Sequence, residues 1–110
     1  MTEIEKNFYQ TQVATLLGTA ALHWCATNYI GGERICREAL SITEEHLGKE
    51  SLSYGWCLYN LGLNLIPQGK LQEAWEVLAK SLHGLQNVLG PSAEEVKLVF
   101  ERLHDLYNSR

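Results

Sequence analysis

Four histidines, three cysteines and a scatter of glutamates are the side chains of this 110-residue chain that could move protons, attack an electrophile or hold a metal. Their spacing argues against each use. His23 and Cys25 stand two apart, so on a helix they face different ways and cannot work as nucleophile and base. His46, His83 and His104 are scattered, and no H-x-x-x-H or paired-cysteine spacing suggests a metal site. Each histidine reads as a surface or satisfied helix-end residue. Glu44, Glu45 and Glu73 fall on helix faces where carboxylates are simply solvated. Gly31-Gly32 follows no strand and has no adjacent lysine, so it is not a phosphate loop. The expectation is a protein that is not an enzyme, with no catalytic residue, no cofactor and no metal.

A different chemistry, recognition, is written between residues 51 and 66. Trp56, Tyr59 and Leu63 are three and four residues apart and form one stripe on a helix. Leu58, Leu61 and Leu65 occupy the opposite side, so this helix is apolar nearly all round, which signals burial on every face. Large aromatic side chains held in a groove are common anchors for a partner.

Composition narrows the partner classes. Hydrophobic residues make up 45% and charged residues 20%, an ordinary globular balance rather than a disordered one. The net charge is −4 and no run of Lys or Arg could track phosphates, which disfavours nucleic acid. No apolar stretch approaches the ~20 residues that span a bilayer. The N-terminus, MTEIEKNFYQTQ, is polar and acidic, unlike a signal peptide. Cys25, Cys36 and Cys57 form no C-x-x-C pair and are odd in number, so they read as reduced and mostly buried in a cytoplasmic protein.

The elements that must position the stripe follow from a repeat. Leu47-Gly48 returns as Leu89-Gly90 after 42 residues, and at the same offset Leu40 meets Leu82, Ile35 meets Val77 and Leu16 meets Leu58. One step further, Leu58 meets Phe100, Leu61 meets Leu103 and Leu65 meets Tyr107. Apolar spacing predicts a first helix over roughly 3–28, from Ile4 and Phe8 to Trp24. Gly31-Gly32 predicts a break, and 33–46 a second helix closed by Gly48 in a left-handed cap. A third helix opens at Ser51 or Ser53 and runs to about Ile66, where Pro67 and Gly69 stop it. The fourth covers 71–89. Ser92, with Glu95 three residues on, predicts a capping box for a fifth, whose apolar side carries Val96, Val99, Phe100 and Leu103. Five helices on short turns make an all-α array.

The run Leu58-Tyr59-Asn60-Leu61-Gly62, then Gly69-Lys70-Leu71-Gln72-Glu73-Ala74 and Val77-Leu78-x-x-Ser81-Leu82, resembles a tetratricopeptide repeat. The Leu-Gly ending and the 42-residue period look like the kinesin-light-chain variety, whose second helix is longer than usual. The resemblance implies a single domain over 1–110, a right-handed solenoid of antiparallel helical hairpins with about two and a half repeats. Repeat one would span about 10–48, repeat two about 51–90, and a closing helix about 92–108. Gly62 and Ala74 would be the small pair where the helices of a hairpin touch, with Ala20 and Gly32 their weaker counterparts. His104, where a third repeat wants a small residue, departs from the pattern. A polar outer face on the last helix, with Glu94, Lys97, Glu101 and Asp105, suits a cap.

In such arrays the first helix of each hairpin lines a concave face that holds partner segments. The resemblance places Trp56, Tyr59, Asn60 and Leu63 there, extended by Trp24 and Ala21. Asn60 falls at the position where the family often carries an asparagine that bonds a bound peptide's backbone, and Asn64, one turn on, could assist. Gly18 and Arg102 occupy the equivalent sites of the other repeats. The family's carboxylate clamp has no counterpart, since Thr19, Ala21 and Leu63 stand where its cations would. The expected function is a protein-interaction module, an adaptor or scaffold binding a peptide or helix. The alternative is a self-assembling structural protein whose apolar inner face forms a homodimer. The stripe could also merely pack against the first and last helices of a tightly closed array.

Overall fold

A computed structural model describes residues 1–108. Those residues form five α-helices: α1 (Glu3–Cys25), α2 (Tyr29–His46), α3 (Leu52–Leu65), α4 (Leu71–Leu89) and α5 (Glu94–Asn108). A single 3-10 turn, Ile66–Gln68, joins α3 to α4, and there is no strand among the described residues. Each helix packs on the next, α1 also reaches α3, and the molecule measures 45 × 31 × 19 Å. No described helix is long and apolar enough to cross a membrane.

The 42-residue period recurs in the backbone itself. At the end of α1, Asn28 N–H donates to His23 C=O (2.8 Å) and Thr27 N–H to Trp24 C=O (3.0 Å). Forty-two residues on, Lys70 N–H donates to Leu65 C=O (3.2 Å) and Gly69 N–H to Ile66 C=O (3.0 Å). Both pairs close a Schellman motif, which needs a left-handed residue just past the helix. Gly69 supplies it at φ 77°, but its counterpart is Thr27 at φ 62°. That conformation costs a β-branched residue about 1–2 kcal/mol. Thr27→Gly is therefore expected to stabilise the fold by about 1 kcal/mol, raising the melting midpoint by about 4–8 °C; a lowered midpoint by circular dichroism would contradict this.

Helix starts are set by small polar side chains. Thr2 and Glu5 form a capping box on α1. Ser51 caps α3, its Oγ accepting from Tyr54 N–H at 3.2 Å and donating to Gly48 C=O at 2.7 Å. Two expected boundaries differ. α2 begins at Tyr29, ahead of the glycine pair, because Asn28 caps it by accepting from Gly31 N–H at 3.1 Å. Gly31 and Gly32 are buried helical residues rather than a break. α5 begins at Glu94, and Lys97 N–H bonds Ala93 C=O at 3.1 Å, which puts Ala93 at the position expected for Ser92.

α3 is the central element, burying Gly55, Cys57, Leu58, Tyr59, Leu61, Gly62, Asn64 and Leu65. Its glycines admit the leucines of α4. A Cβ on Gly55 would meet Leu85 Cδ2 at 2.7 Å, and one on Gly62 would meet Leu78 Cγ at 2.6 Å. Between them Ser81 Oγ donates to Gly55 C=O at 2.7 Å, fully buried. Positions thus advance along α3 as they retreat along α4. Gly32 gives its missing side-chain space to Asn64 of α3, and Ala20, its expected mate, is buried.

α5 packs through Val96, Val99, Leu103 and Leu106. Phe100, expected on that face, is 58% exposed. At about 100° per residue it lies ~80° round from the middle of the buried arc, whereas Leu106 falls inside it. α1 is similarly one-sided: Val13 and Ala20 are buried, while Ile4 and Phe8 are 82% and 61% exposed.

Candidate partner-binding face

The residues expected to bind a partner divide into three environments. Tyr59 is buried, with the Trp56 ring edge-on to it at 5.6 Å and 79°. Trp56, Asn60 and Leu63 are half-buried and remain reachable from solvent. Asn64, at 1% exposure, lies inside the core and cannot touch a partner. Its placement follows from Gly31-Gly32 continuing the helix, since only a glycine at 32 leaves room for the carboxamide.

The amides of α3 form a ladder along the helix. Asn60 Nδ2 donates to Trp56 C=O (2.9 Å), Asn64 Nδ2 to Asn60 C=O (3.0 Å) and Gln68 Nε2 to Asn64 C=O (2.8 Å). Asn60 thereby uses one of its two N–H donors internally, which fixes the carboxamide and leaves the other N–H and Oδ1 to offer. Trp56 Nε1 has no hydrogen-bond partner among the described residues, and it sits on the same face.

Trp24 belongs to the scaffold. Its Nε1 donates to Leu63 C=O at 3.0 Å, bridging α1 and α3. That carbonyl would ordinarily accept from residue 67, but Pro67 has no N–H, so the indole supplies the missing donor. Trp24 and Leu63 are thus brought together through the carbonyl that the proline leaves without a backbone donor.

An ion-pair network is organised around Glu33, which sequence reasoning missed. Its Oε1 accepts from Lys70 Nζ and Gln68 Nε2, both 2.9 Å, and its Oε2 from Arg37 Nε at 2.9 Å. Arg37 Nη2 reaches on to Glu73 at 2.7 Å, so Glu73 is paired rather than simply solvated. Burial pushes the Glu33 carboxyl up, but the bonds from Lys70, Arg37 and Gln68 outweigh it and hold the group at about 2. A folded-state value below the unfolded one stabilises fully above the unfolded value of about 4.5, and that gain is lost as pH falls towards about 2. The ceiling is about 3 kcal/mol, and screening at the exposed Arg37 and Lys70 leaves about 1–2. Glu33→Gln is expected to lose that amount at pH 7 and to flatten the decline in stability below pH 4.5 in acid titrations followed by circular dichroism. An unchanged acid limb would contradict the assignment.

Cys36 and Cys57 are buried free thiols; burial first, then the neighbouring Cys57, pushes Cys36 up to about 12, and burial also raises Cys57. Cys25 is exposed. His46 stacks on Tyr9 at 3.7 Å, His83 lies near Asn87 and His104 near Asn108. No group of three or more His, Cys, Asp or Glu could hold a metal among the described residues. A groove of about 760 Å³ lies elsewhere, between the α2–α3 turn and α4, and is lined by Lys49, Tyr54, Lys80, His83 and Asn87. Trp56 contributes nothing to it.

No protein family's sequence profile matches the chain, and no curated protein matches it either.

Proposed function

We propose that the chain is a protein-interaction module, a short right-handed solenoid of antiparallel tetratricopeptide-like hairpins that holds an extended partner segment against α3. The hairpin reading is supported by the reversed order of contacts between α3 and α4 and by the 42-residue recurrence of backbone bonds. The observation that carries the binding role is one half-buried patch bearing two anchors, the Trp56 ring and the Leu63 aliphatic chain, beside a free indole N–H and the free Asn60 Oδ1. A donor and an acceptor flanked by apolar surface match what a peptide backbone presents between side chains. The amide ladder already holds the Asn60 carboxamide through one of its N–H groups, so a ligand need not reorganise it.

The test is to select peptides from a random library on the full chain and measure their affinity for variants. Trp56→Ala is expected to weaken selected peptides by about 30-fold, the equivalent of a 2 kcal/mol anchor. Asn60→Ala is expected to cost less, about 5-fold, since only one hydrogen bond is removed. Equal affinity for the unchanged chain and both variants, all with unaltered helicity, would place binding on another surface.

A further inference from the structure

Seven of the nine glycines are accounted for by the fold. Gly48, Gly69 and Gly90 hold positive φ, and a Cβ on Gly31, Gly32, Gly55 or Gly62 would meet a neighbour under 3.0 Å away. Gly18 and Gly84 have neither reason: each is helical, and an added Cβ would meet nothing within 4 Å. A mid-helix glycine weakens its helix, and one that no neighbour requires points to something approaching the backbone from outside. Gly84 is half-buried and lines the groove of about 760 Å³ between the α2–α3 turn and α4, a volume in the range of small-ligand sites. Most of the groove's surface is apolar, and Tyr54, Ala79 and Val88 line it beside Gly84.

Its charge is lopsided. Lys49 and Lys80 line it against one carboxylate, Glu50, although the whole chain carries −4. α3 and α4 run antiparallel, Gly62 meeting Leu78 and Gly55 meeting Leu85, so Lys49 and Glu50, just ahead of α3, lie toward the Val88 end of α4. Lys49 also has Glu44 at 3.7 Å. Lys80 stands at the other end and makes no ion pair or hydrogen bond among the described residues. The groove thus offers one uncompensated ammonium, then an apolar run over Gly84 to Val88. That run follows α4 for ~12 Å.

We propose that the groove binds a small amphipathic carboxylate, its head on Lys80 and its apolar body along Gly84 toward Val88. An extended chain advances ~1.2 Å per bond, so about eight to ten carbons fill the run. The missing Cβ lets that chain lie against the α4 backbone. An ammonium has three donors and no acceptor, so Lys80 suits a carboxylate and rejects a cation. The site is separate from the peptide face, since Trp56 does not line it.

Sodium octanoate titrated into the isotope-labelled whole chain is expected to give saturable amide shifts at Lys80, His83, Gly84 and Val88, with a dissociation constant of about 1 mM. The Trp56 indole is expected to stay still. Octylamine, the same tail with the opposite charge, is expected to bind about 10-fold more weakly. Lys80→Glu, at an exposed position, is expected to reverse that preference. Gly84→Leu is expected to keep its helicity, since the new side chain enters open space, and to weaken octanoate by about 30-fold because it fills the run. No shift around the groove with octanoate up to about 20 mM, roughly twenty times the expected constant, would overturn the inference. So would equal binding of octanoate and octylamine, or octanoate binding retained in Gly84→Leu. Displacement of octanoate by a peptide selected on the full chain would give the groove to the peptide and overturn the inference too.

Discussion

Gly32→Ala is expected to destabilise the fold by about 2 kcal/mol, and most of that loss is expected to disappear when Asn64 is changed to alanine in the same chain. The Cβ of residue 32 would fall onto the Asn64 carboxamide, so one of the two must move. Asn64 is anchored on α3 by its 3.0 Å bond to Asn60 C=O and has a longer contact to Cys36 Sγ at 3.9 Å. Expelling it breaks a buried hydrogen bond and forces overpacking, each about 1–3 kcal/mol. The better helix propensity of alanine over glycine returns about 1 kcal/mol. Asn64 also has a weakness of its own, since Oδ1 is buried with no hydrogen-bond partner. Asn64→Ala alone removes that defect and one rung of the ladder, and opens a small void, for a net loss of about 1 kcal/mol. In the double variant the new methyl at 32 enters the void. Urea midpoints of the four proteins form a cycle whose coupling is expected to reach about 1–2 kcal/mol in the rescuing direction. Simple additivity would mean that the α2–α3 contact is not closed by this pair.

Leu78→Ala is expected to cost more, about 3–4 kcal/mol. Leu78 is fully buried and its branch fills the notch that Gly62 leaves in α3. Deleting it leaves a cavity bounded by helix backbone that cannot collapse. A domain of this size has about 5–15 kcal/mol in all, so the variant loses a large share of its stability and more than about 10 °C in midpoint. Gly62→Ala behaves oppositely in the two backgrounds. With Leu78 present its methyl meets Cγ, and it destabilises. In the Leu78→Ala background it points into vacated space and recovers part of the loss. If Gly62→Ala were equally harmful in both, the notch would not be what joins α3 to α4.

Much of the architecture was legible because it depends on local rules. α4 matches its expected bounds at both ends, where apolar spacing, Gly69 and Gly90 agree. Ser51 caps α3 because a serine ahead of an apolar run has a local partner, Tyr54 N–H. Gly31-Gly32 misled for a physical reason. A glycine pair reads as a turn from sequence, but here Gly31 clears space for the cap residue Asn28 and for His23, and Gly32 for Asn64, a neighbour that packing alone brings near. Phe100 misled because a three-or-four-residue step fixes a face only to within ~80°, wide enough to confuse a buried position with a flank.

The site was legible in part. The stripe on α3 follows from spacing, and Trp56, Asn60 and Leu63 do share a reachable face. The sinking of Asn64 and Tyr59 into the core could not be read from α3 alone, because it is set by Gly32 on one side and by neighbouring helices on the other. The role of Trp24 had a signal that could have been used: Pro67 orphans the carbonyl four residues before it, and a buried helix end then needs a donor. The Glu33 network had one local signal, the Glu33–Arg37 pair four residues apart, but Gln68, Lys70 and Glu73 join it only through the fold.

Amide and indole chemical shifts, followed while a selected peptide is titrated into the isotope-labelled chain, report the bound surface directly. The expected result is that shifts concentrate on the Trp56 indole, Asn60 and Leu63, with lesser changes at Trp24 through its bond to Leu63. Shifts confined to Lys80, His83 and Asn87, around the groove on α4, would contradict the assignment of α3 as the binding face.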